Sequence, residues 1–441
     1  MTRDATESWP KFEGVVSKLF RLPFVESNIY SGTTTWRDCV DALGMLTRPR
    51  TLVEGESLSA YEAACGRLIG CPNVFSFATG RMALYAILEA LGIGPGDEVI
   101  LPAFTCVVVP NAILYRGAIP VYVDIDRRTY NIDVGGIEAR ITPRTRAILA
   151  QHTFGLPCDL AAIREIALRR RLDVIEDWAH AVGALCDAGV VGRLRRIAYF
   201  SSDHTKVFST STGGAAATDD DGLADRLRQI HSSSPDIGLR RTLRVLFTLI
   251  VEHVLTHPTL YRAGKYVHAV CNRLHLFQYF PDEMQILKPK RYPYPARLSN
   301  LQARIGLNQV RDLKGNLRHR RHIAKQYDAV LKVHTEHLAR EASHTFLRYS
   351  FLVSDRDEFE RTLKGVVDLG IWFRSVVGGR NRAFHEVGYE EGSCPVAEHV
   401  AAHVVNLPTH FRVRRVDDIL DVLSRLDWEP DSGHFTLRVQ L

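Results

Sequence analysis

The sequence predicts an α/β protein: a large domain of mainly parallel sheet flanked by helices, followed by a smaller C-terminal α+β domain. Three observations predict it. From Asn73 to Asp177 short apolar runs alternate with helix-length segments at the spacing of βαβ units. At 441 residues the chain exceeds one comfortable core, so a large domain with a smaller companion is expected. After the stiff, Pro-rich stretch Lys288–Pro295, a long amphipathic segment is followed by one alternating strand and short helices. The divisions that follow are an N-terminal extension (1–50), a large domain (51–290) with a helical insert at about 221–290, and a small C-terminal domain (291–441).

Residues 1 to about 50 have mixed polarity and no repeat. From Ser57, a plausible N-cap, the apolar positions Leu58, Tyr61, Cys65 and Leu68 mark an amphipathic helix. Asn73–Thr79 reads as a strand that breaks at Gly80 into a helix over Arg81–Leu88, an order that leaves backbone N–H groups free for an anion. Next come a turn at Gly94–Asp97, a strand at Val99–Leu101, a helix at Val108–Tyr115, and strands at Pro120–Asp124 and Ala147–His152. A helix at Leu160–Arg170 leads into the strand Leu172–Asp177. In the insert, Arg240, Arg241 and Arg244 precede the apolar run Val245–Val251. This reads as a core or dimer-interface helix in preference to one lying on a membrane. Beyond the hinge the pattern predicts a helix over Leu298–Leu331, a strand at Tyr349–Val353, a helix from Glu358, the apolar segment Leu369–Arg374 and a last helix over Val416–Leu426.

Hydrophobic residues at 46% and charged residues at 24% are ordinary for a soluble globular protein. The net charge of +6 is spread over a large surface, and the basic clusters at 169–171 and 318–322 fall in helical patterns, so no nucleic-acid partner is expected. Eight cysteines without a C-x-x-C pair argue against a zinc ribbon and a disulfide scaffold. The first residues lack the apolar core of a signal peptide, and the longest apolar run near the insert is too short to span a bilayer. A cytoplasmic protein without a transmembrane segment is the expectation.

Chemistry concentrates at predicted strand ends: Thr79, Phe104, His152, Asp177 and Ser201, where open α/β sheets bind ligands. Close by, the run Tyr199–Ala215 sets Lys206 among serines and threonines ahead of a Gly-Gly turn. A lone lysine there is ordinarily a solvated loop residue. Its weight comes from Val174–His180, an apolar strand closing on a carboxylate and a histidine. An amine nucleophile, an acid and a hydroxyl-rich anion cradle are the parts a pyridoxal phosphate (PLP) Schiff-base site requires.

Over residues 57–430 the order of these motifs resembles the PLP-dependent sugar aminotransferases of the DegT/DnrJ/EryC1/StrS family, with fold type I. The resemblance rests on Thr79-Gly-Arg-Met-Ala-Leu84, Gly117–Asp126 with Asn131-Ile-Asp133, His152-Thr-Phe-Gly155, Glu176-Asp-Trp-Ala-His-Ala181 and Phe200–Lys206. Cys394-Pro-Val-Ala-Glu398 and Leu407-Pro-Thr-His410 continue it. It implies that Lys206 is the catalytic amine, that Asp177 keeps the pyridine nitrogen protonated, and that His180 hydrogen-bonds the ring hydroxyl. Ser201 and the backbone at Gly80, Arg81 and Met82 would hold the phosphate. Two positions depart from the pattern. Cys106 stands where the family carries a stacking aromatic, a part that either its thiol or Phe104 would take over. Pro295 stands where a family asparagine reaches the neighbouring subunit's phosphate. The implied activity moves an amino group from a donor such as glutamate to a keto-sugar nucleotide, in a homodimer with its active site at the subunit interface. The alternatives are a PLP enzyme of the same fold on a non-sugar carbonyl compound, or a non-catalytic regulatory or scaffold protein.

Overall fold

The computed structural model describes residues 26–28, 32–186, 189–190, 197–335, 338, 344–380, 382–429 and 433–437. Seven strands form the central sheet: β1 (Asn73–Phe77), β2 (Glu98–Pro102), β3 (Ile119–Val123), β4 (Thr145–Gln151), β5 (Asp173–Asp177), β6 (Ile197–Ser201) and β7 (Gly214–Thr218). Their spatial order is β1-β7-β6-β5-β4-β2-β3. β3, β2, β4, β5 and β6 pair in parallel, while β7 is antiparallel to both β6 and β1, so β7 alone runs against the rest. This is the fold type I arrangement the sequence predicts.

The helices of seven residues or more are, among the described residues, α1 (Trp36–Gly44), α2 (Ser57–Ile69), α3 (Gly80–Ala90), α4 (Val108–Tyr115), α5 (Leu160–Arg170), α6 (Asp221–Ser233), α7 (Gly238–Leu255), α8 (Tyr261–Arg273), α9 (Asn300–Leu331), α10 (Arg356–Thr362), α11 (Pro395–His403) and α12 (Val416–Leu423). β7 reads Gly-Ala-Ala-Ala-Thr and is wholly buried, and its small side chains let the start of α3 lie against the sheet. A Cβ on Gly214 would sit 2.4 Å from the Gly80 Cα. α9 bridges the two halves of the chain. Its Gly306 admits the Tyr61 ring of α2, where a Cβ would stand 2.4 Å from a ring carbon. Further along, the Tyr327 hydroxyl donates to the Pro408 carbonyl at 3.0 Å. The C-terminal part pairs β8 (Tyr349–Leu352) antiparallel with β9 (Val404–Leu407).

Several elements differ from expectation for local reasons. Ser57 is the first residue of α2 and not its cap; Glu56 holds the cap position without a side-chain bond, and Asn300 Oδ1 of α9 serves the helix start instead by accepting the Ser57 N–H at 2.9 Å. The last helix stops at Leu423, and Leu426–Glu429 instead forms a hairpin strand with His434–Leu437. Leu369–Arg374 holds no strand or helix; the strand there is Val367–Asp368, paired with Ser27–Asn28 of the extension. The extension also supplies α1, whose capping box joins Thr35 and Asp38, and Asp38 accepts from Gln309 of α9 at 2.8 Å. α7 buries Val245, Leu246 and Leu249 and leaves Leu239, Leu243 and Phe247 exposed, so one face of the insert is core. Among the described residues, no helix is long and apolar enough to cross a membrane.

Candidate active site

At the carboxyl ends of β5 and β6 lies a cavity of about 530 Å³, lined by Thr79, Gly80, Arg81, Cys106, Gln151, Asp177, His180, Tyr199, Ser201, Lys206 and Trp372 among others. Asp177 closes β5, paired in register with Tyr199 of β6. Its Oδ2 accepts the Tyr199 hydroxyl at 2.6 Å and its Oδ1 accepts the Ala179 N–H at 2.8 Å. Burial raises the Asp177 pKa above the usual carboxylate range, against the pull of those two donors and of Lys206.

His180 lies one turn on. The Phe154 N–H donates to its Nδ1 at 3.2 Å, so the ring proton is on Nε2. Burial, then the Lys206 and Arg348 charges, push its pKa well below that of a free imidazole, which makes it a neutral donor. Its ring stacks on Phe154 (6.1 Å, 2°) and on Trp372 (5.6 Å, 26°). The turn that delivers the Phe154 N–H needs Gly155 at φ +100°, where a Cβ would collide with Thr345. Thr345 in turn donates to the His180 carbonyl at 2.8 Å.

Lys206 is partly buried, with its Nζ 4.7 Å from the centre of the Trp372 ring. Arg348 lies on the same indole, its Cζ 3.7 Å from the centre. Burial lowers the lysine pKa from the usual amine range, an effect that Asp203, Cys106 and Asp177 oppose and Arg348 reinforces. Asp203 Oδ1 meets His204 Nδ1 at 2.8 Å. Although burial alone would pull His204 down, Asp203 and Glu252 push it up to about 9.

The start of α3 borders the same space. Thr79 caps the helix by accepting the Met82 N–H at 3.2 Å, whereas the first N–H groups of a helix have no intrahelical acceptor. Gly80 and Arg81, at that helix start, line the cavity beside Ser201. Gly80 is required there, because a Cβ would stand 2.8 Å from the Ser201 Cβ and 3.0 Å from the Phe200 carbonyl. The Arg81 guanidinium is ion-paired with the fully buried Glu283, which also accepts from Thr79 at 3.4 Å.

Of the residues singled out from sequence, Lys206, Asp177, His180, Ser201, Cys106, Gly80 and Arg81 line one cavity. Three others do not reach it. The Met82 side chain is fully buried and its N–H is used by the cap. Phe104 is fully buried against Tyr130, Phe154 and Phe373, so it is not placed to stack in the cavity as Cys106's substitute. His152 turns inward, its Nδ1 accepting the Cys158 N–H at 3.1 Å, and Gln151 takes the position at the end of β4 that faces the site. The sequence reading missed Tyr199, Trp372 and Arg348. Tyr199 was readable, because it stands two residues before Ser201 on a strand and shares its face. Trp372 and Arg348 come from the C-terminal part of the chain, and no local pattern ties them to Lys206.

The donor set suits PLP. A buried carboxylate held by a hydroxyl and a backbone N–H complements a protonated ring nitrogen, and a neutral imidazole N–H complements a ring hydroxyl. Helix-start amides beside a serine complement a phosphate. Together the sheet order and a lysine in the connection from β6 to the Gly-Gly strand β7, near the acid that closes β5, define the architecture of a fold type I transferase. The DegT/DnrJ/EryC1/StrS aminotransferase family model matches residues 38–246 and 264–426, and the chain belongs to that family. It is 31% identical over 400 residues to a GDP-perosamine synthase of Caulobacter vibrioides, covering 88% of this chain and 93% of the other. It is 30% identical over 393 residues, with the same coverage, to a UDP-N-acetyl-3-dehydro-alpha-D-glucosamine 3-aminotransferase of Acidithiobacillus ferrooxidans. A pleiotropic regulatory protein of Geobacillus stearothermophilus is 32% identical over 349 residues, covering 77% of this chain and 79% of its own. Among solved structures, NtdA of Bacillus subtilis with bound cofactor PMP superposes with a TM-score of 0.68 at 24% identity, covering 88% of this chain and 81% of that one. That likeness carries the fold.

Proposed function

We propose that this protein is a PLP-dependent aminotransferase that moves an amino group, with glutamate as donor, to a keto group of a nucleotide-linked sugar. The observation that carries the reading is the convergence of Lys206, Asp177 and His180 on one cavity, with the Tyr199 hydroxyl holding the Asp177 carboxylate. PLP, when bound, supplies an aldehyde that condenses with amines and a ring that accepts electrons from the adjacent carbon. Asp177 would hold a proton on the ring nitrogen by its charge. His180 would donate from Nε2 to the ring hydroxyl. Gly80, Arg81 and Ser201 would hold the phosphate. Lys206 would bind the cofactor's aldehyde and would hold or move the proton at the substrate carbon; its pKa, lowered by burial, suits it to act as a base. Trp372 shields the lysine from water on one side.

The acceptor class is supported by the two relatives whose names specify nucleotide-sugar amination. A homodimer is part of the reading, supported by the exposed apolar side chains Leu239, Leu243, Phe247 and Val270 on α7 and α8.

The test is spectroscopic. Purified protein with added PLP should be yellow, lose that colour with glutamate, and regain it with the right member of a panel of 3-keto and 4-keto nucleotide sugars. Lys206→Ala should abolish the cycle. A wild-type protein that stays colourless with PLP sinks the enzyme reading and favours a regulatory one.

A further inference from the structure

Away from the cavity, three histidines meet where the C-terminal hairpin closes on α11. His399 and His403 stand four residues apart on α11 and so project from one face. His434 faces them from the hairpin strand His434–Leu437. The ring centres are 4.4 to 4.8 Å apart, and one ligand nitrogen from each ring lies within 4.8 Å of the others.

The hydrogen bonds fix one ring as a ligand and tie the other two to each other. A carbonyl can only accept, so the His403 Nδ1–H donates to the His399 carbonyl at 2.8 Å, which leaves Nε2 as the lone-pair nitrogen. The Nε2 atoms of His399 and His434 approach to 2.8 Å and share one proton. A metal ion takes the place of that proton if the donor ring carries its hydrogen on Nδ1 instead. Nitrogens around a tetrahedral zinc are roughly 3.4 Å apart, given Zn–N bonds of about 2.1 Å, so the observed spacings bracket the need. Two charges bear on the affinity. The Arg127 guanidinium donates to His399 Nε2 at 3.1 Å and must yield to an ion. Glu429, paired in register with His434 across the hairpin, acts on that ring with the opposite sign.

We propose that His399, His403 and His434 form a three-imidazole site for one divalent transition-metal ion of the zinc type, with water in the fourth position. Imidazole donors favour zinc, copper and nickel over magnesium or calcium. The ion fastens the hairpin Leu426–Glu429/His434–Leu437 to α11. α11 is itself anchored to the large domain through Asp124, whose carboxylate accepts the Val396 and Ala397 N–H groups at 2.9 and 2.8 Å. The site is thus a structural clamp, independent of the aminotransferase reading.

The experiment titrates zinc chloride into the full chain by calorimetry, in parallel with His403→Gln. The expected result is one zinc per wild-type chain, at least tenfold weaker binding in the variant, and identical far-ultraviolet circular dichroism in both. X-ray absorption on zinc-loaded wild type should show three imidazole nitrogens, a readout that stands even if the variant does not fold. Equal zinc binding by the two proteins, or a zinc shell without imidazole, overturns the proposal.

Discussion

Replacing Asp177 by asparagine removes a charge and leaves the shape, which separates a cofactor-binding carboxylate from a structural one. In the fold both Asp177 oxygens are engaged, by the Tyr199 hydroxyl and the Ala179 N–H. Asparagine keeps both contacts, because its Oδ1 can accept from Ala179 while its amide donates to the Tyr199 oxygen, a hydroxyl being both donor and acceptor. Burial raises the Asp177 pKa in the fold. A carboxyl whose folded pKa lies above its unfolded one gives stability that is fully present below the unfolded value near 4 and is lost as pH rises through the folded value. Above that folded value the cofactor-free protein carries an ionised, desolvated carboxylate, and Asp177→Asn relieves it. Without cofactor the stability of the variant relative to wild type should therefore rise with pH and fall back as pH drops. With PLP the missing charge counts against the variant. Breaking a buried charge pair by removing one partner costs about 3–5 kcal/mol, or about two to three and a half powers of ten in kcat/KM. Thermal unfolding with and without PLP, together with steady-state rates, checks both halves. A variant whose relative stability without cofactor does not rise with pH, and which keeps its activity, would refute the assignment.

Three further outcomes follow from the geometry. Gly80→Ala forces α3 away from Ser201, where the added Cβ would approach to 2.8 Å; a loss of about 1–3 kcal/mol in stability and weaker PLP retention are expected, read by chemical denaturation and gel filtration. Trp372→Leu removes the ring face under the Lys206 ammonium. A cation–π contact is worth about 0.5–2 kcal/mol, so the lysine pKa should fall further, by up to about one and a half units. The pH dependence of PLP uptake by cofactor-free protein should shift to lower pH. His410 is buried, its Nε2 2.6 Å from the Asn28 carbonyl, and burial followed by the Arg320 charge holds it down to about 3. A histidine depressed in this way gives stability that is present above 6.5 and lost as pH falls toward 3. His410→Gln should take about one proton out of the slope of stability against pH in that window, and an unchanged slope refutes the attribution.

The sequence by itself determined the sheet and the kernel of the site. The alternation of apolar runs with amphipathic segments specifies βαβ units, and the handedness of their connections leaves few ways to arrange them. Asp177, His180, Ser201 and Lys206 were legible because they lie within 30 residues of one another at the ends of adjacent strands, so chain connectivity alone brings them together. What the sequence could not show is which side chains at the other strand ends turn into the cavity. Phe104 and His152 sit at such ends yet pack inward, while Gln151, one residue from His152, faces the site; a single peptide of rotation at a turn decides between them. Trp372 and Arg348 reach Lys206 from more than 140 residues away. Only the packing of the C-terminal part against the sheet brings them there, and burial among those partners lowers the lysine's pKa. The same holds for the three histidines: the i,i+4 pair on α11 is written in the sequence, but the third ligand arrives only when the hairpin folds back.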